Sequence, residues 1–286
     1  MDAQPNFSRR PAEPSTTDLL IPAYLGVRPA RLYRPAYSRT ALPALLYLHG
    51  GGFVAGSIED ADATIRELVT RVPLAVLALN YSLAPRDPFP AAPEDAYAAL
   101  CWLVKQAAVE HLDSRRLAVA GDDAGGNIAA ATTLISRDRN GPALAAQVLI
   151  GPMLDPSMTL LGDADRLHSD LKPQTCAQRY AQYLPRPQER LHPYASPLAS
   201  RRLHELPPTY LATAKCDVLH CEAERYATAL IAAGMPTQIT RFDVKHEELP
   251  QHPPLLAEVA DFLCQRLAIA ARRPASPSQR TPHPQP

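Results

Sequence analysis

Three short stretches of this chain carry residues able to do acid, base or nucleophilic chemistry. In Gly121-Asp122-Asp123-Ala124-Gly125-Gly126-Asn127 a carboxylate, Asp123, stands at the centre of a glycine-flanked turn between an apolar run and an alanine-rich one. A sharp strand-to-helix turn crowds its central residue, and small residues two places to either side relieve that crowding. Gly121 and Gly125 meet the need, with Asp122 and Ala124 beside the tip. The helix start behind it offers unsatisfied N–H groups and the positive end of the dipole. In Tyr47-Leu48-His49-Gly50-Gly51-Gly52-Phe53 an apolar run meets three glycines. Glycine lets the backbone approach a ligand closely, and N–H groups aimed at one point make an oxyanion hole. The third element is the pair Asp217 and His246, each just beyond a later apolar run. Ligands of open parallel sheets gather at the carboxyl ends of the strands.

Each stretch has a plainer reading. An Asp-Gly-rich segment is often only a turn, and a histidine after a strand is often a surface residue. Gly50, Gly52 and Gly56 nearly spell a dinucleotide fingerprint. The last spacing is one residue too long, and Asn80 stands where an acidic residue would end the next strand. Cys216, His220 and Cys221 lie close together, but no second pair completes a tetrahedral metal set. No cofactor and no metal are expected.

The elements that would position these residues alternate between strand and helix. Strands are predicted at 44–48, 74–79, 117–120, 148–150, 209–212 and 238–242, with Gly121 breaking the third. Helices are predicted at 60–71, from Pro93 onward, at 124 to about 137, at 223–233 and at 255–267. That alternation predicts an α/β fold with a mainly parallel sheet covered on both faces. Residues 155–200 interrupt it with an aromatic helical piece around Tyr180 and Tyr183, which suggests a cap over a site.

A length of 286 residues suits one large domain, assigned to 21–270. Many of the 31 prolines fall at the ends, where 1–20 and 271–286 are expected to be disordered tails. The formal net charge of +0 creates no global field, so nucleic acid is not an expected partner. No stretch is apolar enough to span a bilayer, and the start lacks the pattern of a signal peptide. With 5 cysteines and no CxxC pair, a reducing cytoplasmic compartment is expected. Homodimerisation is left open.

The combination of motifs resembles the bacterial hormone-sensitive-lipase-like esterases over about 21–267. The likeness rests on the HGGG motif at His49 to Gly52, on Tyr81-Ser82-Leu83-Ala84-Pro85 with Pro88-Phe89-Pro90-Ala91-Ala92, and on the GDSAGGN-like elbow at Gly121 to Asn127. Ser196-Pro197-Leu198, Leu206-Pro207-Pro208 and Asp217-Val218-Leu219 also match. The resemblance implies an α/β-hydrolase fold with the order nucleophile, acid, histidine. It implies an oxyanion hole in the His49–Gly52 turn, with the N–H groups of Gly51, Gly52 and Ala124 as donors. It makes Asp217 the acid that orients the base His246. Family members hydrolyse short-chain esters without metal or cofactor, so the expected partner is a small apolar, ester-like ligand. About twenty residues precede the first matching strand, so the N-terminal part of the cap is expected to be cut down and the site more open.

Several positions depart from the family pattern. The elbow serine is replaced by Asp123, the Arg and Glu of YRLAPE by Ser82 and Arg86, and the surroundings of the histidine read Lys245-His246-Glu247-Glu248. An aspartate beside the hole and across from His246 favours an imidazolium held by two carboxylates, a stable and inert arrangement. The expected function is therefore an esterase-type hydrolase with impaired or altered activity. Two alternatives are a catalytically inactive pseudoenzyme that binds a small ligand or protein, and a hydrolase of epoxides or alkyl halides with Asp123 as nucleophile. In the last, Tyr180 and Tyr183 would be candidate acids, although packing is their better reading, as it is for Trp102.

Overall fold

The computed structural model of the chain describes residues 13–38 and 40–269. One eight-stranded sheet runs in the order β1-β2-β4-β3-β5-β6-β7-β8. The strands are β1 (Ser15–Ala23), β2 (Gly26–Arg34), β3 (Leu42–Leu48), β4 (Ala75–Leu79), β5 (Leu112–Asp122), β6 (Ala146–Ile150), β7 (Thr209–Cys216) and β8 (Thr237–Lys245). From β4 through β8 all neighbours are parallel, and β2 joins this block antiparallel to β4. Helices α1 (Ile58–Arg71), α2 (Ala91–Lys105), α3 (Ala124–Asp138), α4 (Pro173–Tyr183), α5 (His220–Ala232) and α6 (Pro253–Arg266) complete the chain.

The central strands are apolar on both sides because both faces are covered. In β3, Leu46 and Leu48 join a core shared with α2, α3 and α5, whereas Leu45 and Tyr47 join a second core with α1 and α6. Every residue of β3, β4 and β6 is buried. Helix α3 is buried from Ala124 to Ser136, and its alanines let it lie close against the sheet. This places the β5–α3 turn at the centre of the molecule and at the carboxyl end of the sheet.

Two sequence expectations are corrected here. Strand β1 begins at Ser15, so the sheet takes in residues that were assigned to the tail over 1–20; residues 1–12 and 270–286 lie outside the described residues. The β1–β2 hairpin was not anticipated, and β1 is mostly exposed, with Ile21 its one buried residue. Gly121 does not break β5. It pairs with Leu48 and Leu149 inside the sheet, and a Cβ there would collide with the Gly125 carbonyl oxygen. Its missing side chain lets α3 fold back tightly.

Between β6 and β7 the chain leaves the sheet and forms α4 and two short 3-10 turns, Pro187–Leu191 and Pro197–Ala199. Tyr183 of α4 stacks on Phe53 at 3.9 Å between ring centroids, tying this segment to the glycine turn after β3. Tyr180 and Tyr183 are both buried. Trp102 packs partly buried against the core from α2.

Candidate active site

The β5–α3 turn holds Asp123 in a backbone conformation that side chains rarely adopt, with φ +51° and ψ −118°. Its own peptide groups are fixed on all sides. The Asp123 N–H donates to the Ile150 carbonyl at 2.9 Å, and its carbonyl accepts from the N–H groups of Gly126 and Met153, each at 3.1 Å. Gly125 is needed because a Cβ there would collide with the Leu48 and His49 carbonyl oxygens. A residue so held cannot choose its direction, and the carboxylate points at the glycine turn.

That turn receives it. Gly51 and Gly52 have φ of +116° and +60°, and their N–H groups both donate to Asp123 Oδ2, at 3.0 and 2.7 Å. Two of the donors expected to form an oxyanion hole are thus engaged by a side chain of the protein itself. Ala124, the third expected donor, opens α3 directly behind Asp123. His49 belongs to the scaffold. Its ring stacks on Tyr81 at 4.3 Å, its Nδ1 lies 2.7 Å from the Gly50 carbonyl oxygen, and its own carbonyl accepts from Tyr81 Oη. Gly50 leaves room for the carboxylate of Asp122, with which a Cβ would collide.

His246 follows β8 and Asp217 follows β7, so adjacent parallel strands deliver both to one edge of the turn. His246 Nδ1 donates to Asp217 Oδ2 at 2.8 Å, and the fully buried Asp217 also accepts the Leu219 N–H at 2.9 Å. On its other side His246 Nε2 lies 3.7 Å from Asp123 Oδ1. Burial opposes a charged ring here, but the charge and hydrogen bond of Asp217, with the charges of Asp123 and Asp170, outweigh it and push His246 up to about 9. The ring is an imidazolium at neutral pH, between two carboxylates.

Four further residues shape the site without any signal in their spacing. Arg179 of α4 lays its side chain over Gly52, where a Cβ would collide with it, and its Nη1 lies 3.9 Å from Asp123 Oδ2. Asp170 accepts the N–H groups of His246 and Glu247 at 3.3 and 3.1 Å, pinning the histidine loop to the insertion. Tyr47 donates to Asp122 Oδ1 at 2.9 Å. Burial and the neighbouring Asp123 charge raise the Asp122 carboxyl to about 7, against the pull of that hydrogen bond. Below the site, the small Ser82 leaves space for Arg28 of β2. Its guanidinium hydrogen-bonds Ser82 and pairs with the fully buried Asp95 at 3.2 Å. Arg86 is exposed and pairs with Asp87. The departure at Ser82 therefore has a local replacement from another strand.

The cavity above the turn measures about 360 Å³, and its wall includes Asp60, Asp122, Asp123, Arg179, His246 and Glu247. Charged side chains from the elbow, α1, α4 and the histidine loop converge there, beside the apolar Ala61, Leu171 and Pro250. Tyr180 and Tyr183 are not part of the wall; they turn from α4 into the apolar core. Cys221 Sγ and His220 Nδ1 are 3.4 Å apart, and among the described residues no group of three or more His, Cys, Asp or Glu is placed to hold a metal. Among those residues no helix is long and apolar enough to cross a membrane.

A family model described as an alpha/beta hydrolase fold matches residues 45–247. The chain belongs to that family. Esterase LipI of Mycobacterium tuberculosis is 37% identical over 245 residues, covering 82% of this chain and 75% of the esterase. An ethyl acetate hydrolase of Pseudomonas putida is 38% identical over 219 residues, covering 74% and 68%. Among solved structures, a hyperthermophilic esterase of Pyrobaculum calidifontis superposes with a TM-score of 0.82 at 36% identity, over 90% of this chain and 88% of that one. A thermostable carboxylesterase cloned from a metagenomic library gives 0.84 at 35%, over 90% and 91%. This α/β-hydrolase therefore shares its sheet and its helices on both faces with carboxylesterases.

Proposed function

We propose that this α/β-hydrolase is an esterase-type protein in which Asp123 takes the place of the nucleophilic serine and silences short-chain ester hydrolysis. A serine elbow attacks an ester carbonyl after histidine removes its proton, and the oxyanion forms against backbone amides. Here two obstacles meet. The amides of Gly51 and Gly52 already hold Asp123 Oδ2, and this single observation carries the reading. The histidine that would act as base is already protonated, held by Asp217 and facing Asp123. A carboxylate attacking an ester carbonyl would also form an anhydride, a poor intermediate.

Asp217, His246 and the glycine turn keep the geometry that such a reaction would use. The cavity of about 360 Å³ keeps the size of a small-molecule site. Its occupant on this reading is a small, ester-like molecule that is bound and not turned over. The test is Asp123→Ser, assayed on p-nitrophenyl esters of short acids beside the parent protein. The parent should stay at background, and the variant should gain on the order of 10³-fold or more, since the nucleophile is the largest contributor among triad members. The gain should vanish on adding His246→Ala. A parent protein as active as Asp123→Ser would overturn the proposal.

A further inference from the structure

Two positions that depart from the family pattern, Ser82 and Arg86, serve one cavity that the elbow chemistry does not use. It measures about 220 Å³ and is lined by residues of β2, of the segment after β4 and of the approach to α1. It shares His49 and Gly56 with the wall of the active-site cavity. We propose that this second cavity is a phosphate site, for the free ion or a small phosphate monoester, held by Arg28, Arg86 and Asn80.

Each of the three is held in place by bonds that leave donors to spare. Arg28 Nε donates to Ser82 Oγ at 3.0 Å and to Asp95 at 3.2 Å, and its Nη2 lies 3.5 Å from Asp87. Among the described residues Nη1 has no partner, and the side chain is 16% exposed. Arg86 Nε donates to the same Asp87 at 2.9 Å, so both of its terminal nitrogens remain for a ligand. One carboxylate thus draws two guanidinia to one wall. Asn80 directly follows β4, and its Oδ1 accepts the Ile58 N–H at 2.8 Å. That bond fixes the amide and leaves its NH2 group as a donor.

The lining is as informative as the donors. Among the described residues no carboxylate lines this cavity, whereas Asp60, Asp122, Asp123 and Glu247 all line its neighbour. Asp87 and Asp95 balance the two arginines, but neither belongs to the wall. A carboxylate ligand offers two oxygens in one plane and suits a single guanidinium. A phosphate offers oxygens on a tetrahedron, and donors arriving from three separate segments suit it better. Leu83 and Pro29 add an apolar wall against which the carbon of a small monoester would lie. The family pattern has a glutamate at the position of Arg86, which would repel an anion; the arginine reverses that charge.

Isothermal titration of the full chain with inorganic phosphate at neutral pH tests this. The parent should bind one phosphate with a Kd on the order of 1 mM or below. Arg86→Glu, at an exposed position, should weaken binding at least about tenfold. Arg28→Lys, which keeps a cation for Asp95, should weaken it as well; should that variant not fold, Arg86→Glu decides. Arg179→Ala, in the active-site cavity, should leave phosphate binding unchanged, and acetate should bind at least about tenfold more weakly than phosphate. Glycerol 3-phosphate binding more tightly than phosphate assigns a monoester, and the reverse order assigns the free ion. No saturable binding by the parent, or equal affinity in the parent and Arg86→Glu, overturns the inference. So does a loss in Arg179→Ala with Arg86→Glu unaffected, which would seat the anion beside Asp123. Acetate as tight as phosphate overturns the assignment to phosphate.

Discussion

A hydroxyl at a strand-to-helix elbow has one oxygen to offer, whereas a carboxylate has two and a full charge. Asp123 uses one oxygen on the Gly51 and Gly52 amides and turns the other toward His246. Hydrogen bonds to a charged acceptor are stronger than neutral ones, so the Asp123 carboxylate holds the glycine turn and the elbow together. The same charge helps keep His246 protonated, against the cost of burying it. Replacing Asp123 by Asn should therefore lower the His246 midpoint from about 9, which NMR titration of the imidazole would follow. An unchanged midpoint would mean that Asp217 and Asp170 alone set it. Two titrations also enter stability with the same sign. His246, raised from 6.5 to about 9, contributes stability that is complete below 6.5 and fades as pH rises through about 9. Asp122, raised from 3.8 to about 7, favours the fold while protonated, and that contribution fades as pH rises through about 7. Asp122→Asn keeps an acceptor for Tyr47 and cannot ionise. Its melting temperature should match the parent near pH 4 and exceed it above about 7.

Strands and helices put these groups together, and they differ in how openly the sequence announces them. The elbow is legible because Gly121, Gly125 and the apolar run before them have no cheaper explanation than a tight turn. Asp217 and His246 are legible as residues just past apolar runs, and β7 and β8 pair in parallel and bring them to 2.8 Å. The β1–β2 hairpin is not legible: it is the sheet edge, its exposed residues follow no alternation, and Pro22 and Pro29 weigh against strands. Arg179 and Asp170 reach the site only through the placement of the insertion, and nothing in their spacing ties residue 179 to residue 123. Arg28 is a similar case. Ser82 reads as a loss, and only the neighbouring strands reveal that Arg28 serves the buried Asp95. Removing one partner of a buried pair leaves a charge uncompensated. Arg28→Ala should cost about 3 kcal/mol in urea unfolding, and a change within error of zero would mean that the Tyr24 and Ser82 donors satisfy Asp95 without it.

At the scale of the molecule, two apolar cores clamp a mostly parallel sheet from both faces, and the polar chemistry is confined to its carboxyl edge. The insertion between β6 and β7 closes over that edge through the Tyr183–Phe53 stack and through Asp170 on the histidine loop. The cavity it leaves combines carboxylates, one guanidinium and one imidazolium with apolar wall from Ala61, Leu171 and Pro250. Its best anion site, the Gly51 and Gly52 amides, is already taken by the protein itself. Isothermal titration with butyrate measures this directly, comparing the parent with Asp123→Gly, in which glycine accepts the φ of +51° without strain. With the Gly51 and Gly52 amides released, Asp123→Gly should bind butyrate at least about tenfold more tightly than the parent, the scale of two amide hydrogen bonds to a charged group. Equal affinity for butyrate in the two proteins would contradict the claim that the Asp123 carboxylate fills the oxyanion hole.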